Sequence, residues 1–239
     1  MTTRTSATTF AFPSADLPAP GASLDLLLPG AAGKLEVILA APRETAARGI
    51  AVICHPHPLY GGAMSNKVTY TLASIALNAG FYALRFNFRG VGRSEGAHDE
   101  GRGEIEDTLL LVDWLRQRVP AAGSGEPLPL LLAGFSFGGY VSVAAAATAR
   151  PSLQISVAPP FGGRFVYQAR PARPPCPWLV IHSRDDDTVA YDETAAALAA
   201  YEPPAELFTV DGAGHFFNGR LNDIREAAGD FIQRHLPAP

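Results

Sequence analysis

A chain of 239 residues, 47% hydrophobic and 18% charged, is long enough for one substantial core and too apolar to be disordered. A net charge of -4, a pI near 5.8 and scattered basic residues give no electrostatic ground for a nucleic-acid partner. No run approaches the roughly 20 apolar residues that span a bilayer, and Met1 to Pro20 lacks a signal-peptide core. A cytoplasmic protein with no membrane partner is therefore expected, with Cys54 and Cys176 as reduced thiols.

Met1 to Pro20, rich in Thr, Ser, Ala and Pro, is expected to pack loosely outside a single domain spanning residues 21–239. Ser23 to Leu28 and Lys34 to Ala40 read as strands of an antiparallel hairpin across Pro29 to Gly33. Gly49 to Cys54 is continuously apolar, the pattern of a strand covered on both faces. It ends in His55-Pro-His-Pro-Leu-Tyr-Gly-Gly62, which proline and glycine keep from continuing as strand or helix. Asn66 to Asn78 carries Val68, Leu72, Ile75 and Ala76 at helical spacing, and Gly80 is placed to stop it.

Phe81 to Phe88 is a further strand, followed by the glycine-rich turn Arg89 to Gly96. Its Gly-x-Gly fails as a dinucleotide fingerprint at Glu95, and no helix opens at once. Glu104 to Val119 reads as an amphipathic helix with Ile105, Leu109, Val112 and Leu115 or Leu111 inward, and Glu104, Glu106, Arg116 and Arg118 outward. Pro120 to Pro127 is a loop. A buried strand at Leu128 to Ala133 then meets Gly134-Phe-Ser136-Phe-Gly138, and a small-residue helix runs on to Ala149.

Beyond Pro151, strands at Leu153 to Ala158, Trp178 to His182 and Glu206 to Val210 alternate with helices at Tyr191 to Tyr201 and Asp223 to His235. This alternation implies a mostly parallel sheet with helices on both faces, an α/β architecture.

Gly-x-Ser-x-Gly between a buried strand and a helix is the pattern of a tight turn that holds a hydroxyl clear of the sheet. A serine hydroxyl is a poor nucleophile near neutral pH, so it needs a base, and the base needs a group to orient it. Catalytic groups of open parallel sheets gather at the carboxyl ends of strands. His215, in Asp211-Gly-Ala-Gly-His215 after the last strand, is therefore the expected base, while His182 at the end of an apolar run reads as structural and His98 and His235 as surface residues. Asp185, Asp186 and Asp187 compete for the orienting role, and spacing alone does not separate them.

With these residues in view, the chain from about His55 to His215 resembles the α/β-hydrolase superfamily, whose order of nucleophile, acid and histidine it shares. The superfamily's Gly-x-x-Asp-x-x-Val is matched by Ser183-Arg-Asp-Asp186-Asp-Thr-Val189, with serine in place of glycine, which points to Asp186. His55 to Gly62, Arg85 to Gly96 and Ala133 to Gly139 together resemble a group of small bacterial carboxylesterase-like hydrolases that lack a cap domain. The resemblance implies a three-layer α/β-hydrolase fold and a serine carboxylesterase acting on small or accessible esters.

Phe137, after the nucleophile, is expected to supply one oxyanion N–H; Pro56 and Pro58 have none to give, which leaves His57, Leu59 or Tyr60 for the other, with Leu59 favoured. Tyr60, Phe161, Phe216 and Phe217 are expected around an open site, since Pro159 to Pro177 is too short for a helical cap. His55 and His57 at i, i+2 fall short of the three or four convergent ligands a metal usually takes, so neither metal nor cofactor is expected. The same machinery would serve a thioesterase or peptidase, and the same fold could serve a non-hydrolytic binding protein. A monomer and a homodimer are equally compatible with the sequence.

Overall fold

The computed structural model describes residues 16–44, 46–119, 126–162 and 170–236. Among the described residues, eight strands form one sheet in the order β1-β2-β4-β3-β5-β6-β7-β8. They are β1 (Ser23–Gly30), β2 (Gly33–Ala40), β3 (Gly49–Cys54), β4 (Phe81–Phe86), β5 (Leu130–Phe135), β6 (Leu153–Val157), β7 (Trp178–Ser183) and β8 (Glu206–Val210). The β1–β2 hairpin is antiparallel, as is the pairing of β2 with β4; the other neighbours are parallel. This is the α/β-hydrolase arrangement expected from the sequence.

Helices α1 (Lys67–Asn78) and α5 (Leu221–His235) lie on one face of the sheet, and α2 (Arg102–Arg118) and α3 (Phe137–Ala149) on the other. Helix α4 (Tyr191–Ala199) follows β7. Two hydrophobic cores result, and the strand period assigns residues to them. In β3, Ile50, Val52 and Cys54 pack with α2 and α3, whereas Ala51 and Ile53 pack with α1 and α5. Every residue of β3, β5, β6 and β7 is buried, which explains the unbroken apolar runs of β3 and β5; the polar residues of β6 and β7, Gln154, Ser156, His182 and Ser183, are buried with the rest. Full burial of each large aliphatic side chain contributes about 1.5–3 kcal/mol, so these four strands form the rigid base from which the site loops project.

Helix α1 starts where Asn66 Oδ1 accepts the amides of Val68 and Thr69. Helix α2 differs from the sequence reading, which set Glu104 facing solvent. The residue is fully buried, and its carboxylate accepts the amides of Asp99 and Gly101 and the His98 Nδ1–H at 2.9–3.0 Å. Glu104 is the third residue of α2 and reaches back to the N-cap amide of Gly101, a capping contact that, with the helix dipole, holds the acid inward. For the same reason His98 is not a surface residue: its side chain is 10% exposed.

Most of the first 20 residues, the loop at 120–125 and residues 163–169 lie outside the described residues. Of the N-terminal segment that is described, Pro18 is buried and Leu17 packs on the core, while Asp16, Ala19 and Pro20 are exposed. Between β6 and β7 no described residue is helical, and no cap domain stands among the described residues. No helix among the described residues is long and apolar enough to cross a membrane.

Candidate active site

The site begins with a steric constraint. Ser136 sits between β5 and α3 at φ 53°, a conformation that is costly for a residue with a Cβ. The chain closes this turn because Gly134 and Gly138 let backbones approach: a Cβ on Gly134 would stand 2.1 Å from the Gly138 oxygen, and one on Gly138 2.4 Å from the Cys54 and His55 oxygens. Ser136 N–H donates to Val157 O at 2.8 Å, which anchors the strained residue to the end of β6. The hydroxyl is thereby fixed over the carboxyl edge of the sheet.

Two later strand ends bring the partners. The His215 Nε2 lies 3.1 Å from Ser136 Oγ, and His215 Nδ1 lies 2.8 Å from Asp186 Oδ2. The other carboxylate oxygen, Asp186 Oδ1, accepts the amides of Thr188 and Val189 at 2.9 and 2.8 Å. Burial would raise the carboxyl of Asp186, but hydrogen bonds from His182, His215 and the Val189 amide outweigh it and hold the group well below the usual carboxylate range. Ser136, His215 and Asp186 are 9%, 4% and 8% exposed, so the chain of contacts is screened from water while the serine keeps an edge to the pocket.

Ser136 and His215 line a cavity of 100 Å³ together with Pro56, His57, Tyr60, Pro160, Val189 and Phe216. A larger cavity of 420 Å³ lies between α1 and α5 beside Arg48 and Arg225, but it contains no nucleophile or base from the carboxyl edge of the sheet, so the chemistry belongs to the smaller one. Of the aromatic residues expected at the rim, Tyr60 and Phe216 are there, 78% and 48% exposed. Phe161 is not: it is buried and packs edge-on against Trp178. Phe217 is also fully buried, in the core it shares with α1 and α5, while its neighbour Phe216 is exposed. Pro160 was not singled out from the sequence, and only its proximity to the end of β6 could have signalled it.

The loop after β3 corrects a second expectation. Leu59 is 71% exposed, and its amide donates to His57 Nδ1 at 3.2 Å, while the Tyr60 amide donates to His57 O at 3.1 Å. Both N–H groups therefore serve the 3-10 turn Pro58–Tyr60 and not the pocket, which counts against Leu59 as an oxyanion donor. His57 itself lines the pocket; burial first, then the neighbouring His98, lowers its imidazole to about 4. His55 is a structural residue, donating from Nδ1 to Pro56 O and accepting the Phe88 amide at Nε2.

The motif from Arg85 to Gly96 holds that loop in place. Arg85 donates to Met64 O, and Asn87 Oδ1 accepts the Met64 amide. Asn87 also donates to Glu36, and Arg89 makes a paired contact with the buried Asp107 at 2.8 and 2.9 Å. A Cβ on Gly103 would meet the Arg89 guanidinium at 1.8 Å, so glycine is what lets α2 begin there. Neither thiol is poised as a nucleophile: burial pushes Cys54 and Cys176 up to about 12.

Known proteins share this fold. The family model described as X-Pro dipeptidyl-peptidase (S15 family) matches residues 32–168, more than half of the chain. An uncharacterized protein of Rickettsia prowazekii is 33% identical over 191 residues, which cover 77% of this chain and 78% of that protein. An α/β serine hydrolase without lid from Xanthomonas campestris is 36% identical with a TM-score of 0.81, covering 94% of this chain and all of that one. An α/β serine hydrolase homologue from Coxiella burnetii is 37% identical with a TM-score of 0.78, covering 87% and 96%. The chain belongs to the α/β serine hydrolases, in the S15 family described as X-Pro dipeptidyl-peptidase.

Proposed function

We propose that this hydrolase is a carboxylesterase in which Ser136 is the nucleophile, His215 the general base and acid, and Asp186 the residue that orients and stabilises the imidazolium. The observation that carries the reading is the unbroken line of contacts from Asp186 Oδ2 through His215 to Ser136 Oγ, at 2.8 and 3.1 Å. Ser136 attacks an ester carbonyl as His215 takes its proton; His215 then protonates the departing alcohol. Water, deprotonated by the same imidazole, resolves the acyl-enzyme. The oxyanion is held by the Phe137 amide at the start of α3 and by the amide of His57, to which the second role passes from Leu59.

The shape of the pocket supports small or accessible esters. A cavity of 100 Å³ between Pro56, Pro160 and Val189 holds a short acyl group, with Tyr60 and Phe216 at its open side. The S15 match favours a second reading, a peptidase releasing X-Pro dipeptides. Such a substrate presents an α-ammonium close to the scissile bond, and the pocket lining carries no carboxylate to receive it among the described residues. The carboxylates of Asp187 and Glu193 line a separate cavity beyond Thr188 and Val189. The ester reading is therefore preferred.

Labelling by a fluorophosphonate, with turnover of nitrophenyl esters of rising chain length and of an X-Pro nitroanilide, tests this assignment. Labelling that vanishes in Ser136→Ala and falls severely in His215→Ala, with short esters turned over best, is the expected result. An unlabelled wild-type protein overturns the triad; preference for long acyl chains or for the nitroanilide overturns the substrate class.

A further inference from the structure

His182, next to last in β7, is fully buried, and the reaction as described makes no use of it. Its Nε2 lies 3.0 Å from Val189 O and 3.3 Å from Asp186 Oδ2, the oxygen that also faces His215. A carbonyl can only accept, so Nε2 carries the proton and donates it. The other nitrogen, Nδ1, is buried without a partner among the described residues. The proton that His182 donates is therefore the one on Nε2, shared between Val189 O and Asp186 Oδ2.

Val189 completes the arrangement. Its N–H donates to Asp186 Oδ1 while its C=O accepts from His182, so one backbone unit ties the carboxylate and the imidazole into a closed ring. We infer that His182 is a positioning residue that fixes the rotation of the Asp186 carboxylate, so that Oδ2 meets His215 Nδ1. The inference rests on the triad proposed above.

His182→Phe keeps an aromatic ring and removes the donor; His182→Gln returns an N–H at a similar reach. With rates expressed per fluorophosphonate-titrated site, so that unfolded protein does not count, His182→Phe is expected to lower kcat about tenfold or more on a short nitrophenyl ester, leaving KM within about twofold. His182→Gln is expected to recover most of that loss. In an Asp186→Ala background, His182→Phe should cause no further fall in labelling rate, since its effect passes through the missing carboxylate. If the phenylalanine variant does not fold, His182→Asn, too short to reach Oδ2, takes its place with the same expected loss.

Wild-type kcat in the donor-less variant, equal losses in the phenylalanine and glutamine variants, or additive losses with Asp186→Ala each overturn the positioning role. Failure of wild-type labelling overturns the triad itself, so the two outcomes are distinct.

Discussion

Asp185 Oδ1 accepts the Gly212 amide at 2.7 Å, and its Oδ2 accepts that of Gly214 at 3.3 Å, so the loop bearing His215 is pinned by the residue next to Asp186. Ser183 Oγ donates to the same carboxylate at 2.8 Å. The two neighbouring aspartates thus divide the work: Asp186 meets the imidazole, and Asp185 meets the backbone that carries it. Asp185→Ala should lower the fluorophosphonate labelling rate about tenfold by loosening the 3.1 Å contact between His215 and Ser136. Asp185→Asn, which retains an acceptor oxygen, should lose less. An unchanged labelling rate in the alanine variant would refute the pinning role.

Gly138 and Gly214 separate two reasons for glycine. A Cβ on Gly138 would press on two backbone oxygens at 2.4 Å, and neither can move without displacing the loop after β3. Gly214 has φ 57° and open space where its Cβ would be. Gly138→Ala is expected to destabilise the fold by about 1–3 kcal/mol through overpacking and to abolish labelling. Gly214→Ala should cost about 1–2 kcal/mol from the left-handed backbone alone and keep measurable labelling. Urea unfolding beside labelling checks both, and equal behaviour of the two variants would contradict the steric account.

The division between Asp185 and Asp186 also marks the limit of the sequence. A continuous apolar run located β3 to the residue, the short run Glu206 to Val210 located β8, and the loops after β5, β7 and β8 led to Ser136, the aspartates and His215. The signal of β3 is large, because a fully buried strand admits few polar residues. What escaped were features decided by backbone donors and loop rotation. Glu104 is inward because three N–H groups meet it, and the Leu59 amide is engaged by the ring two residues earlier. Phe216 and Phe217 are neighbours, one exposed and the other fully buried. Neither composition nor period encodes such choices.

Acid stability should carry the mark of His55. Burial holds this imidazole down to about 3, against an ordinary value of 6.5, so between those limits the unfolded chain binds a proton that the folded chain does not. Its contribution is therefore intact above pH 6.5 and declines as pH falls toward 3, at a slope of at most about 1.4 kcal/mol per pH unit. Asp186, whose carboxyl is held below its ordinary 3.8, adds a loss that sets in only as pH drops through that value. In urea titrations from pH 7 to 4, His55→Asn should start less stable and show a flatter decline than wild type. Parallel pH dependences in the two proteins would show that His55 is not the titrating group.

Tyr60 offers a test of the rim that leaves the catalytic groups untouched. Its ring is 78% exposed, lines the pocket and leans edge-on against His57 at 4.8 Å between centroids. So exposed a side chain contributes little to the core, and Tyr60→Ala should change stability by no more than about 0.5 kcal/mol. Against a substrate, however, the ring offers one aromatic face, a contact worth about 0.5–1.5 kcal/mol. KM for an aryl or branched ester should therefore rise about two- to tenfold with kcat nearly constant, while KM for an acetyl ester of a small alcohol should hardly move. A fall in kcat at constant KM would place Tyr60 with the reacting groups and would contradict its assignment to the rim.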